Sequence, residues 1–253
     1  MYIVENALQC APQIFRLRHE TFKERLGWGV VSKNDLERDE FDKLSTTIHL
    51  AEFEQDKCVS CCRLMPTTGP NMVSDVFDFL LDDEPVPCRY KTWEISRFAV
   101  AKDQVSSTII SNRTSALLCG LLEFGLATGL RSFVAVVDVR MERIIRMAGW
   151  PLKRLCPPQK LGVTKALVIE VEINAIILAT IERKSGIFST NLHPFQWKQL
   201  PLASDPYTNF SRLNTVNHEK INVVRKPAVR GTGKSTSDLP RHALNHFLNT
   251  LDY

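Results

Sequence analysis

Residues 93–100 read WEISRFAV, and the fold turns on how this stretch is read. Its β-branched and aromatic residues mixed with polar ones predict a strand, with Glu94 and Ser96 on one face and Ile95 and Arg97 on the other. Downstream, a long apolar helix is expected over roughly 107–129. A buried-type strand, FVAVVDV (133–139), follows, and MERIIRMAG (141–149) is a short helix closing at Gly149. TKALVIEVEI (164–173) reads as another strand and NAIILATIERKSG (174–186) as another helix. Upstream, TTIHLAEF (46–53) and VSCCRLMP (59–66) are strand-like and joined by Glu54-Gln55-Asp56-Lys57. TTGPNMVSDVFDFLLDDEPVP (67–87) gives a turn, a short helix and a loop, punctuated by Gly69, Pro70, Pro85 and Pro87. Pro12 and the following QIFRLRHETFKERLGW form an amphipathic helix, with Ile14, Phe15, Leu17, Phe22 and Leu26 on its apolar face and Gly27 as its stop. Residues 29–45 are polar and aperiodic, a loop. Strands alternating with helices from Val59 to Gly186 predict an α/β class built on one mixed sheet with flanking helices.

Past Gly186 the regular pattern fades. Residues 187–253 form a C-terminal extension rich in Asn, Ser, Thr, Pro and basic residues, with at most a short terminal helix over RHALNHFLNTL. The net charge of +4 resides there: residues 211–253 hold 7 Lys/Arg against 3 Asp/Glu, while residues 1–210 are neutral. The expected organisation is therefore a catalytic domain over 1–186 and a basic extension over 187–253, either a disordered appendage or an aid in recruiting an acidic partner. A neutral core gives no ground for nucleic-acid binding. No run of 18 apolar residues exists to span a membrane, and MYIVENALQC lacks the basic and apolar runs of a signal peptide. Seven cysteines without framework spacing suit a reducing cytoplasm.

Several motifs carry less than they suggest. Cys58-x2-Cys61-Cys62 has no second ligand pair at zinc spacing, and His242 and His246 lack acidic or cysteine partners, so no metal is expected. Ala228-VRGT-Gly233-Lys234-Ser235 matches a relaxed phosphate loop but lacks the strand and helix that such a loop requires.

The chemistry concentrates elsewhere. Arg18 and Phe22 lie four apart on the first long helix, Trp28 follows, and Asp39 and Asp42 lie in LERDEFD (36–42). Arg63 sits in the second strand-like segment, and Glu94 and Arg97 in WEISRF. Taken singly, each charge is an ordinary solvated side chain. Together they supply a charge network for a zwitterionic ligand and aromatic faces for an adenine ring or a sulfonium cation.

The spacing Arg18-x3-Phe22-x5-Trp28, Asp39-x2-Asp42, Arg63 and Glu94-x2-Arg97 resembles the signature of the acyl-homoserine-lactone synthase family, over about residues 1–185. The resemblance implies an N-acetyltransferase-like, three-layer α-β-α fold and a reaction between an acyl thioester and the α-amine of S-adenosylmethionine. It implies no cofactor, since S-adenosylmethionine is a substrate. By the same resemblance Glu94 is the base; Asp39, Asp42, Arg63 and Arg97 hold the loop and strands and balance charge; Phe22 and Trp28 shape the nucleotide pocket; and Arg18 meets the substrate carboxylate. Ala135 matches an acyl-tunnel position at which threonine accompanies 3-oxo-acyl preference in some members, which points to an unsubstituted chain.

The rivals are an N-acetyltransferase acting on another amine and a catalytically silent regulator that binds an acyl carrier protein. Coenzyme A sites use a glycine-rich turn, and AKDQVSSTIISNR (101–113) has no glycine, which favours an acyl carrier protein as donor. Lys102, Arg113 and Arg131 are the expected docking cations for that acidic partner.

Overall fold

The computed structural model describes residues 1–82, 84–102, 110–162, 164–188, 190 and 192–194. The remainder of the extension, with its phosphate-loop match and with His242 and His246, lies outside the described residues.

The chain opens with β1 (Tyr2–Glu5), a short α1 (Ala7–Cys10) and α2 (Pro12–Arg18). Pro12 starts α2, where its missing N–H leaves no orphan donor. The helix then widens into a π-helix, His19–Arg25, which ends where Gly27 takes the left-handed conformation at φ +65°. The expected loop at 29–45 is more ordered than its composition suggests. It contains the two-residue strands β2 (Ser32–Lys33) and β3 (Leu36–Glu37) and a 3-10 turn, Glu40–Lys43. That turn is closed by a capping box, in which Asp39 Oδ1 accepts from the Phe41 N–H and Asp42 Oδ2 from the Asp39 N–H.

Next come β4 (Ile48–Glu54), β5 (Lys57–Pro66), α3 (Met72–Asp75) and β6 (Thr92–Val100). The apolar helix is α4 (Asn112–Ala127), capped by Ser111, and residues 107–109 of its expected first turn lie outside the described set. Then follow β7 (Ser132–Asp138), α5 (Val139–Ala148), β8 (Leu152–Arg154), β9 (Gln159–Leu161), β10 (Thr164–Glu172), α6 (Ala175–Ser185) and β11 (His193–Pro194).

One mixed sheet runs β11-β1-β4-β5-β6-β7-β10-β8, with β9 on β10. Alternation along β5 sends Cys61 into the cluster beneath α1 and α2, and Cys62 and Leu64 into the cluster that includes α4 and α6; the register shift opposite Glu52 and Phe53 puts Cys58 on the side of Cys61. The sheet is thus the middle of three layers. Strand β11 follows residue 186 and pairs in parallel with β1, and Thr190 bonds Glu123 of α4 through its N–H (2.8 Å) and its hydroxyl.

Strand β6 departs from regular pairing in two places. It pairs in parallel with β7 only from Thr92↔Ser132 to Glu94↔Val134. Beyond Glu94, β6 continues beside β5 and β7 beside β10, so the sheet forks at that residue. The β5–β6 register also shifts between Cys61 and Arg63, where Arg97 adopts φ +52°.

Candidate active site

Three guanidiniums and three carboxylates interlock on the α2 side of the sheet. Arg18 donates to Glu37 (2.5 Å) and, with both terminal nitrogens, to Asp42 (2.7 and 2.9 Å). Arg63 donates to Asp39 (2.5 Å), Asp42 (2.9 Å) and the Ser96 hydroxyl (3.0 Å). Arg97 donates to Glu37 (3.0 Å) and Asp39 (2.7 Å). The formal charges cancel. Burial opposes ionisation of Glu37, Asp39 and Asp42, yet the neighbouring arginines hold all three below the ordinary carboxylate range, Asp42 most of all. Burial likewise opposes the charge on Arg18, but Glu37 and Asp42 raise its pKa well above the usual value.

Simple alternation predicts Ser96 and Arg97 on opposite faces, and the structure corrects this. The positive φ at Arg97 re-aims its side chain, so Arg97 and Arg63 share Asp39 while Arg63 also holds Ser96. Arg18 and Arg63 are fully buried, whereas the Arg97 side chain is 16% exposed at the rim. The Phe22 ring lies 5.9 Å from the Arg97 guanidinium carbon, and Trp28 stacks on Phe22 with centroids 5.2 Å apart. Trp28 is the half-buried outer member of that pair.

Glu94 stands apart from the ion pairs, at the fork. Its neighbour Trp93 packs on Phe124 of α4 (centroids 5.9 Å), so Glu94 turns to the other face. Oε2 accepts the Val73 N–H at 2.7 Å, and Oε1 is buried without a hydrogen bond among the described residues. Burial pushes its pKa up to about 7, against the opposing pull of the Val73 N–H and Arg63.

Of the residues singled out in the sequence, Arg18, Asp39, Asp42, Arg63 and Arg97 share one network, with Phe22 and Trp28 at its rim and Glu94 beside it. Ala135 lies elsewhere. It is buried on β7 opposite Ile169 of β10, one residue past the fork, and faces away from Val134, the register partner of Glu94. Sequence reading missed Glu37, which bridges Arg18 and Arg97 and lies two residues before Asp39 in the same acidic run. His49, whose residue type and place in TTIHLAEF suggest a structural part, is buried beside the network with Nε2 3.4 Å from Asp42 Oδ1. Neither ring nitrogen of His49 has a hydrogen bond among the described residues, and burial pulls its pKa down against Asp42. The expected docking trio is not one patch. Arg113 bonds Glu54, and Lys102 and Arg131 flank opposite ends of β6, about 30 Å of strand apart. Among the described residues no group of acidic, histidine or cysteine side chains could hold a metal ion, and no helix is long and apolar enough to cross a membrane.

A three-layer α-β-α arrangement whose mixed sheet forks at Glu94 is an N-acetyltransferase-like fold. The autoinducer synthase family model matches residues 3–177, and the chain belongs to that family. Its activity is that of an acyl-homoserine-lactone synthase. The chain is 32% identical over 165 residues to the acyl-homoserine-lactone synthase of Pseudomonas aeruginosa, covering 64% of this chain and 82% of that one. The crystal structure of the synthase LasI matches with a TM-score of 0.61 at 31% identity, over 67% of this chain and 86% of that one. BjaI, a CoA-dependent acyl-homoserine-lactone synthase solved with SAM and isopentyl-CoA, matches in fold with a TM-score of 0.71 at 23% identity, over 85% and 98%.

Proposed function

We propose that this enzyme transfers an acyl group from an acyl carrier protein to S-adenosylmethionine and releases a quorum-sensing lactone. The α-amine attacks the thioester carbonyl, the carrier thiol leaves, and Glu94 takes the amine proton. The methionyl carboxylate then attacks its own γ-carbon, breaking the carbon–sulfur bond and expelling methylthioadenosine as the lactone closes. The observation that carries this reading is Glu94 at the fork, with one oxygen spent on Val73 and the other free of bonds among the described residues. A pKa near 7 suits a base that must deprotonate an α-amine titrating near roughly 7.7–8.0.

Trp28 and Phe22 offer the adenine or sulfonium a π surface, with Arg97 beneath. Among the arginines, Arg97 is the one at the rim and so the one in reach of a ligand carboxylate. Arg18, Asp39, Asp42 and Arg63 then act as the rigid frame, a different part for Arg18 from the one the resemblance implies. Ala135 offers a methyl group where a hydroxyl would meet a C3 oxygen, so the acyl chain is unsubstituted. Residues 1–186 are the catalytic domain, and the basic extension aids carrier recruitment. Seven free cysteines support a cytoplasmic site of action.

Exposed Lys102 beyond β6, with Arg140, Lys160 and Lys165 near the end of β7, puts cations at the mouth of the fork, which suits an acidic carrier. Acyl-CoA is the second reading, favoured by the fold shared with BjaI. Steady-state rates with matched acyl-carrier and acyl-CoA donors separate the two. A carrier preference that weakens with salt is expected, because exposed charge is screened over about 8 Å at physiological ionic strength. Equal or better use of acyl-CoA overturns the carrier assignment.

A further inference from the structure

Met72 opens α3 and is nearly buried, and its thioether lies amid the charges. Its Sδ accepts from Arg63 Nη2 at 3.0 Å and from Arg97 Nη1 at 3.3 Å. The next residue along the chain is Val73, whose N–H fixes Glu94 Oε2 at 2.7 Å. One short stretch of backbone therefore joins the charge network to the carboxyl at the fork. Asn71, the residue before, caps the same turn through Ser74 N–H at 3.1 Å.

The residue type fits this task. The network is already neutral, so a carboxylate at position 72 would add an unbalanced buried charge. A leucine would leave one donor on each of two guanidiniums without this acceptor. A thioether is a weak acceptor without charge and is soft enough to sit between two planar cations.

We propose that Met72 is a positioning residue whose sulfur, held by Arg63 and Arg97, sets the Val73 amide and through it the orientation of Glu94. The proposal rests on the reading of Glu94 as the base. With Val73 holding Oε2, Oε1 is the oxygen presented to the amine. Without the tie, α3 moves relative to β6, and Glu94 loses both its fixed rotamer and the hydrogen bond that favours its ionised form.

The test compares Met72→Leu, Met72→Gln and Glu94→Gln in the full chain, by kcat/KM against pH. Met72→Leu keeps the volume and removes the acceptor. We expect it to lower kcat/KM about tenfold, the scale of one lost charge-assisted hydrogen bond, and to move the acid limb upward. Met72→Gln restores an uncharged acceptor and should return kcat/KM to within about threefold and the limb to its wild-type place. Met72→Leu with wild-type rates and an unmoved limb, while Glu94→Gln is inactive, overturns the proposal and leaves the base intact. A fully active Glu94→Gln overturns the base reading instead, and the proposal with it. Should Met72→Leu fail to fold, a folded Met72→Gln without activity still refutes the proposal, and one with near-wild-type activity and limb supports it.

Discussion

Arg18 grips Asp42 with two hydrogen bonds, 2.7 and 2.9 Å long, and both side chains are fully buried. The same carboxylate takes Arg63 at 2.9 Å and the Asp39 N–H at 2.9 Å, so the loop after β3 is bolted to both α2 and β5. Asp42→Asn keeps the shape and strips the charge from between two buried guanidiniums. Breaking such a pair costs about 3–5 kcal/mol, because the remaining charges stay buried without their counterion. Urea unfolding should show a loss on that scale. A loss below about 1 kcal/mol would mean that the network relaxes into solvent.

Acid should act on stability and on activity in different pH ranges. The carboxylates of the network have depressed pKa values in the fold, so their stabilisation is complete above the unfolded value near roughly 4 and drains away as pH falls toward their lower folded values. Glu94 is shifted the other way, to about 7, and only its ionised form accepts a proton. The kcat/KM profile should therefore carry an acid limb near pH 7 while the protein is still fully folded. In Glu94→Gln the rate should fall by about 10²–10⁴-fold and that limb should disappear. A wild-type limb at the ordinary carboxylate pKa, near roughly 4–5, would remove Glu94 from the role.

Trp28→Ala removes the outer ring of the stacked pair and leaves the buried network untouched. Calorimetry should show about tenfold weaker binding of S-adenosylmethionine, with little change in KM for the acyl donor. Unchanged affinity would detach the aromatic pair from the nucleotide.

The strands and helices around WEISRFAV were legible because each long element carries its own period or apolar run. What stayed hidden was short or aperiodic. Strands β2, β3, β8, β9 and β11 hold two or three residues each, too few to show alternation. Glu37 was hidden because an acidic residue in a polar loop looks like every other one until Arg18 and Arg97 close on it. Arg97 was placed in the right set but on the wrong face, since a bulge cannot be counted from residue types. The spacing of Arg18, Asp42, Arg63 and Glu94 was visible, but their distances needed the fold.

The expected domain boundary at 186 precedes β11 and Thr190. A chain ending after residue 194 should fold and make the same product, with a raised KM for the carrier substrate. One ending after 186 loses the β1 pairing and the Glu123 contacts, and should unfold at lower temperature. Equal melting temperatures for the two would return the boundary to 186. A folded 194-residue form without activity at saturating substrates would put a catalytic element in the extension.

The most direct test is a product assay with purified full-length enzyme, S-adenosylmethionine and an acyl carrier protein bearing an unsubstituted acyl chain. Liquid chromatography with mass spectrometry should find methylthioadenosine and the unsubstituted acyl-homoserine lactone rising in equal amounts, and Glu94→Gln should abolish both together. Thioester consumption without methylthioadenosine, or with an acylated S-adenosylmethionine that never lactonises, would contradict the proposed reaction.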